Sequence, residues 1–259
     1  MILLFDIGNT NTHLGLGNES RVLKRADIPA SAWHTGVAGK LVSRFAGTAR
    51  ISGTVLCSVV PRLTPRVRAL SARAFGLEAL ELTPATVVGV GIRYPKPATI
   101  GPDRLANAVA VKHHFGAPAV VVDFGTAVTF DVVDRHGDYV GGIIAPGLAA
   151  MTEYLHEKTA LLPKIKFREV TSAIGKSTEA AMIIGAVHGY RGLIRELVRE
   201  LKRELDAHRL PVVATGGYAR LISSKLPEIT TVAPLLTLEG LRLVWQMRQN
   251  LDRSQMSPG

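Results

Sequence analysis

Apolar residues in this chain come in short unbroken runs that stop at a carboxylate and a glycine, and the first run sets the pattern. Ile2 to Phe5 are apolar throughout, Asp6 follows, and Ile7 and Gly8 lead into the small polar series Asn9, Thr10, Asn11 and Thr12. A run of that kind reads as a strand buried on both faces. The polar series reads in two ways. Glycine without a Cβ lets a phosphate approach main-chain N–H groups, with amides and hydroxyls beside them. Gly-Asn between apolar runs is equally a hairpin signal. The same pattern returns at Val120, Val121, Val122, Asp123, Phe124, Gly125, with Thr126, Ala127, Val128 and Thr129 after it. Aligned on aspartate and glycine, Thr12 falls on Thr129, and the distance between the copies predicts two related halves.

The remaining elements follow from periodicity and breakers. Strands are predicted over residues 2–5, 12–16 and 21–26, an antiparallel start, then a helix over 31–45 and a strand over 54–60 closed by Pro61. Residues 62–75 carry helix formers, 79–82 a short strand, and 86–100 a loop rich in glycine and proline. Gly101-Pro102-Asp103-Arg104 opens a helix through Val111, with proline in its first turn. Asp103 there is either a carboxylate favoured by the helix dipole or a base facing one ligand together with Arg104. A hairpin about residues 135–138 completes the second three-strand start. Helices follow over 148–155 and 180–208, then a strand from Pro211 into the glycine turn Gly216-Gly217, a closing helix over 238–247, and a frayed tail over 252–259.

Composition narrows the function classes. With 259 residues and 47% hydrophobic content, the chain can bury the cores of two domains. One cysteine, Cys57, excludes an internal disulfide framework and suits a reducing, cytoplasmic setting. No targeting segment is expected, and the uncharged run over 139–152 is too short and too broken by glycine and proline to span a bilayer. The net charge of +10 favours anionic partners. Its spread along the chain, without aromatic interleaving, points to small anions and not to nucleic acid.

Ile174-Gly175-Lys176-Ser177-Thr178 ends like a Walker A loop, but Val170 stands where the first glycine belongs, so a P-loop is rejected and Thr178 is kept as a ligand contact at a helix start. Scattered histidines and a single cysteine build no structural zinc site. No Gly-x-Ser-x-Gly elbow is present.

Taken together, Asp6-Ile7-Gly8-Asn9-Thr10-Asn11, Gly101-Pro102-Asp103-Arg104 and Asp123-Phe124-Gly125-Thr126-Ala127 resemble the three motifs of type III pantothenate kinases. These belong to the superfamily of acetate and sugar kinases, heat-shock chaperones and actin. The resemblance continues through residues 141–147, 174–178, 214–217 and 236–241, with Pro102 and the high pI as local peculiarities.

It implies an α/β fold of two duplicated ribonuclease-H-like, actin-like ATPase domains, with mixed sheets flanked by helices and an active-site cleft between them. The domains are expected at 1–116 and 117–259, the second carrying the adenosine-side glycine turn. The implied activity is ATP-dependent phosphorylation of pantothenate to 4'-phosphopantothenate, the first step of coenzyme A synthesis. Another small-molecule kinase of the superfamily, or a nucleotide-binding transcriptional accessory factor, stands as the alternative. By the same resemblance Asp103 is the catalytic base. Asp6, Ile7, Gly8, Asn9, Thr10, Asn11, Thr12, His13 and Thr126 contact ATP, and Tyr94, Gly101, Pro102, Asp103, Arg104 and Thr178 contact pantothenate. Asp123 binds K⁺ or NH₄⁺, Mg²⁺ accompanies ATP, and the chain forms a homodimer.

Overall fold

The computed structural model describes residues 1–256, which form two compact units: residues 1–116, 137–140 and 235–256 in the first, and 117–136 and 141–234 in the second. In the first unit β1 (Ile2–Ile7), β2 (Asn11–Gly17) and β3 (Val22–Pro29) are antiparallel neighbours, as the sequence predicts. On the other side of β1, strands β4 (Gly53–Ser58) and β5 (Ala79–Glu81) run parallel to it, giving the order β3-β2-β1-β4-β5.

Strand alternation assigns each side chain to a face. Leu3, Phe5, Ile7, Leu14 and Ile28 enter one core with Trp33 of α1 (Ser31–His34), Val42 and Phe45 of α2 (Ala38–Ala46), and Val67 of α3 (Thr64–Phe75). The intervening residues look toward α4 (Pro102–Phe115) and the last helix, α8 (Leu236–Met256). Of these two helices, α8 rests on β1 and β4, and α4 rests on α8 and β4. Because both faces are covered, Leu3, Leu4 and Phe5 are all fully buried, which is why β1 reads as a continuous apolar run.

The second unit repeats this plan. Strands β7 (Ala119–Phe124), β8 (Ala127–Val133) and β9 (Asp138–Pro146) follow one another, with β10 (Val212–Gly216) parallel to β7 and β11 (Thr231–Val232) parallel to β10. Strand for strand, β9-β8-β7-β10-β11 repeats β3-β2-β1-β4-β5. Burial repeats as well. β1 and β7 share one pattern, and so do β2 and β8. Helices α5 (Leu148–Lys158), α6 (Thr178–Glu204) and α7 (Ala219–Ser223) flank this sheet, and Ile183 and Val187 of α6 form a core with Ile165 and Val170. A mixed α/β fold built from two duplicated units is therefore what the chain adopts.

Several expectations are corrected. The helix over 31–45 is two helices, because Gly36 adopts φ +76° between them. The loop over 86–100 contains a short strand, β6 (Gly91–Ile92), parallel to Asp138 and Tyr139. Within the tail, residues 252–256 are helical, and 257–259 lie outside the described residues. The compact units divide after Gly116, and residues 137–140 and α8 group with the first unit, since α8 covers that unit's own sheet.

The alignment of the two copies also shifts. Gly8 N–H bonds to the carbonyl of Asn11, whereas Gly125 N–H bonds to that of Ala127, so the first turn is one residue longer. His13, not Thr12, therefore occupies the position of Thr129, each facing its strand-end aspartate across the hairpin.

Helix α8 is tied down by close contact. Thr237 Oγ1 donates to Asn107 Oδ1 at 2.8 Å, and a Cβ on Gly240 would overlap the backbone carbonyl of Ala106. Gly240→Ala is expected to destabilise the chain by about 2 kcal/mol despite alanine's higher helix propensity. A fall in the urea midpoint at unchanged slope checks this.

Candidate active site

One end of the first unit's sheet, at the carboxyl ends of β1, β3 and β4 and the start of β2, brings four reactive side chains into register. Asp27 on β3 lies opposite His13 on β2, His13 opposite Asp6 on β1, and Asp6 opposite Cys57 on β4. Because residues paired across neighbouring strands share a face, the row projects on the side that α4 and α8 cover. His13 Nδ1 lies 2.8 Å from Asp27 Oδ1, and Cys57 Sγ donates to Asp6 Oδ1 at 3.4 Å. Arg25 stands 3.5 Å from the second oxygen of Asp27.

Asp103 enters from the first turn of α4, where its Oδ1 accepts the Arg104 N–H at 2.9 Å. Gly101 precedes the helix with extended ψ, and Pro102 supplies the fixed φ of the first turn. Burial raises the Asp103 carboxyl above its ordinary range, while the Arg104 N–H and guanidinium offset part of that. Asp6 is pushed up to about 6, chiefly by burial, with His13 pulling it down and the Asp103 charge pushing it up. These two carboxylates thus influence each other within one unit. Beside them the Arg104 guanidinium lies 5.7 Å from the ring centre of Tyr139, whose ring is 6.2 Å from that of Tyr94. An acid, a cation and two aromatic faces suit a small polar ligand carrying a carboxylate.

The loop after β1 divides by face. Gly8 fits tightly, since a Cβ there would lie 3.0 Å from the Asn11 carbonyl. Asn9 and Thr10 are exposed and Asn11 half-buried. Ile7 and Thr12 point into the opposite core, where the Thr12 hydroxyl accepts the Trp33 indole N–H at 2.9 Å. The expectation that Thr12 offers its hydroxyl to a ligand is therefore corrected: strand alternation turns it away, and only its main chain remains.

In the second unit Asp123 ends β7 as Asp6 ends β1, opposite Thr129 and beside Thr215. Gly216, at φ +88°, brings its backbone against this carboxylate, so that a Cβ there would sit 2.6 Å from Asp123 Oδ1. Gly147 lies against the loop at Gly125 and Thr126, with its N–H on the Thr126 carbonyl at 3.2 Å. Thr178 opens α6 and is exposed, while its neighbour Ser177 caps the helix through the Ala180 N–H at 3.2 Å. The structure thus gathers Asp6, His13, Asp103, Arg104 and Tyr94 in the first unit, and places Asp123, Thr126 and Thr178 in the second.

Asp27, Cys57 and Tyr139 are the neighbours that the sequence reading missed. A cross-strand partner is visible in a sequence only once the register is known.

Comparison with known proteins decides the family. The model of the type III pantothenate kinase family matches residues 2–200. The chain belongs to the type III pantothenate kinase family. Among its relatives, the type III pantothenate kinase of Akkermansia muciniphila is 44% identical over 93% of this chain and 96% of its own. That of Methylacidiphilum infernorum is 42% identical over 95% and 88%, and that of Moorella thermoacetica 38% identical over 95% and 99%. The fold is shared with a solved structure from Campylobacter jejuni described as a conserved putative Baf family transcriptional activator. It has a TM-score of 0.64 and 19% identity, over 96% of this chain and 99% of that one. A putative 2-dehydro-3-deoxygalactonokinase from Sinorhizobium meliloti aligns with a TM-score of 0.56 at 14% identity, over 96% and 99%. At such identities the likeness concerns fold alone. For the family member described here, the strand-end carboxylates, the loop glycines and the Gly101–Arg104 turn all sit at the sheet's carboxyl ends or at the start of a helix, where α/β folds gather ligands.

The raised carboxyl of Asp6 gives a signed expectation for stability. A carboxylate that holds its proton more tightly in the folded state stabilises the fold fully below pH 3.8, and that contribution is lost as pH rises through about 6. Asp6→Asn, which does not ionise, should gain stability relative to wild type between pH 4 and pH 7. Thermal unfolding of both proteins across that window checks the sign.

Proposed function

We propose that the chain transfers the γ-phosphoryl group of ATP to the primary hydroxyl of pantothenate, giving 4'-phosphopantothenate in the first step of coenzyme A synthesis. The observation that carries this reading is the joint presence, in a member of this family, of the Asp6 loop and of Asp103 with Arg104 in one unit. Phosphoryl transfer asks for positioning and charge neutralisation more than for covalent chemistry. In this reading the loop from Asp6 to His13, mainly through the backbone at Ile7 and Thr12, and Thr126 in the second unit bind ATP, which arrives with Mg²⁺. Asp103 takes or orients the hydroxyl proton, and its raised pKa suits a base working near neutrality. Arg104, Tyr94 and Thr178 hold pantothenate, with Gly101 and Pro102 shaping the turn.

The Asp123 site fits a large singly charged ion. It offers one partly buried carboxylate with backbone closed against it by Gly216, while no group of three His, Cys, Asp or Glu suited to a tighter metal exists among the described residues. K⁺ or NH₄⁺ bound there would neutralise the Asp123 carboxylate.

A homodimer is supported by apolar side chains left in the open on the second unit. Met151, Tyr154 and Leu155 share one face of α5, and Leu161 and Ile174 are 88% and 77% exposed. A cytoplasmic location accords with one unpaired, buried cysteine. Among the described residues no helix is long and apolar enough to cross a membrane.

Coupled measurement of ADP formation with and without pantothenate tests the reaction, and no pantothenate dependence would overturn it. Asp103→Asn should lower turnover by ~10²- to 10⁴-fold while ATP binding persists. Arg104→Ala should raise KM for pantothenate more than it lowers kcat. At constant ionic strength, activity should be higher in K⁺ or NH₄⁺ than in Na⁺, and Asp123→Ala should erase that preference. Light scattering should report a dimer.

A further inference from the structure

The row across the first sheet contains a pair that the reaction as described does not use. His13 belongs to the nucleotide loop, but Asp27 stands 14 residues further on, on the neighbouring strand, and reaches the imidazole through the register of β2 and β3. Among the described residues Asp27 is the one hydrogen-bond partner of the His13 ring. A carboxylate only accepts, so the nitrogen facing Asp27 carries a hydrogen. Nε2 is then the ring nitrogen left to meet a ligand. Opposite His13 on its other side is Asp6, followed by Cys57 on β4, while Arg25 faces the second oxygen of Asp27. The imidazole is thus held between two carboxylates at the mouth of the loop.

We propose that Asp27 is a positioning residue of the nucleotide site: by accepting a hydrogen bond from Nδ1–H it aims the Nε2–H of the His13 imidazolium at a phosphate oxygen of ATP. The proposal rests on the reading that the loop from Asp6 to His13 takes the nucleotide phosphates. Two features separate it from an ordinary surface pair. The partners are fixed by backbone pairing in adjacent strands, so neither side chain spends much freedom in meeting the other. The histidine also stands at the structural position of Thr129 in the second copy, beside that copy's own strand-end aspartate and glycine loop. Both halves therefore place a hydrogen-bonding side chain opposite the carboxylate. In the first half it is a titratable one that needs an orienting partner.

The test compares wild type with Asp27→Ala, Asp27→Asn, His13→Ala and the double variant Asp27→Ala/His13→Ala. Calorimetry with a non-hydrolysable ATP analogue and Mg²⁺ gives binding, and steady-state kinetics give KM and kcat. Each alanine variant should weaken analogue binding and raise KM for ATP by about fivefold, the scale of one partly exposed charged contact. KM for pantothenate should hold within about twofold, because the effect falls on nucleotide binding. The double variant should be no weaker than either single one, since Asp27 acts only through His13. Asp27→Asn keeps an acceptor oxygen and should recover most of the loss. Additive losses in the double variant, or unchanged affinity in Asp27→Ala alongside a loss in His13→Ala, would overturn the role of Asp27 while leaving the kinase reading intact. If the wild type binds the analogue but shows no pantothenate-dependent turnover, the reaction assignment fails and the nucleotide role of the pair is still decided by the binding series. No analogue binding by the wild type would overturn both.

Discussion

Each unit is organised by the same constraint: a carboxylate must end a strand buried on both faces. Water is scarce at such a position, and an ionised carboxyl there is stable only if the surrounding structure supplies donors or charge. In the first unit these come from several elements at once. Cys57 donates from the parallel strand and His13 acts through its charge from the antiparallel one, against burial and the second carboxylate that α4 brings close, both of which raise the first. The crowding of two acids with one histidine and one arginine leaves a repulsion that positive charge would relieve. In the second unit the same strand-end position lies opposite Thr129 and beside Thr215, with the backbone at Gly216 closed against it. Equal folds thereby hold their aspartates in different surroundings.

The α/β class, the duplication and the antiparallel starts were legible in the sequence because strand-end aspartate and glycine are spaced alike in both copies. Asp6, Gly8, Asp123 and Gly125 could be singled out for the same reason, and Asp103 because Gly101, Pro102 and Arg104 frame it at a helix start. What sequence did not show depends on distances that only the folded sheet defines. Thr12 looked like a ligand group until alternation placed it beneath Trp33. The extra residue in the first turn is silent in an alignment anchored on aspartate and glycine, and becomes apparent only from which carbonyl the glycine N–H meets. Likewise Asp27 and Cys57 have no sequence proximity to Asp6, and they join it through strand pairing alone.

Electrostatics and packing divide the work between the two faces of the first sheet. The side toward α1, α2 and α3 is mainly apolar, and its buried polar bridges, Trp33 to Thr12 and Thr54 to Ser71, are hydrogen-bonded. The side toward α4 and α8 carries every reactive group, and it is held by polar ties of a different kind. Arg242 and Glu239 of α8 form a 2.6 Å ion pair, and Glu239 also accepts the Val22 N–H at 2.6 Å. Arg248 donates to the Thr86 carbonyl at 2.7 Å. Such bonds fix orientation more than they add stability, and orientation is what a helix carrying Asp103 requires from the helix beside it.

The return of α8 to the first unit also sets an order on biogenesis. Strand β1 is made long before α8, so one face of its sheet lacks that helix until residues 236–256 have been synthesised. At ~5–20 residues per second, the nascent first unit waits several seconds with part of its apolar surface uncovered, while all the strands of the second unit's own plan have already been synthesised. The half of the molecule that starts earliest is therefore the one completed last. Chains cut short near the C-terminus would lose the seat of α4 before they lost any residue of the nucleotide loop.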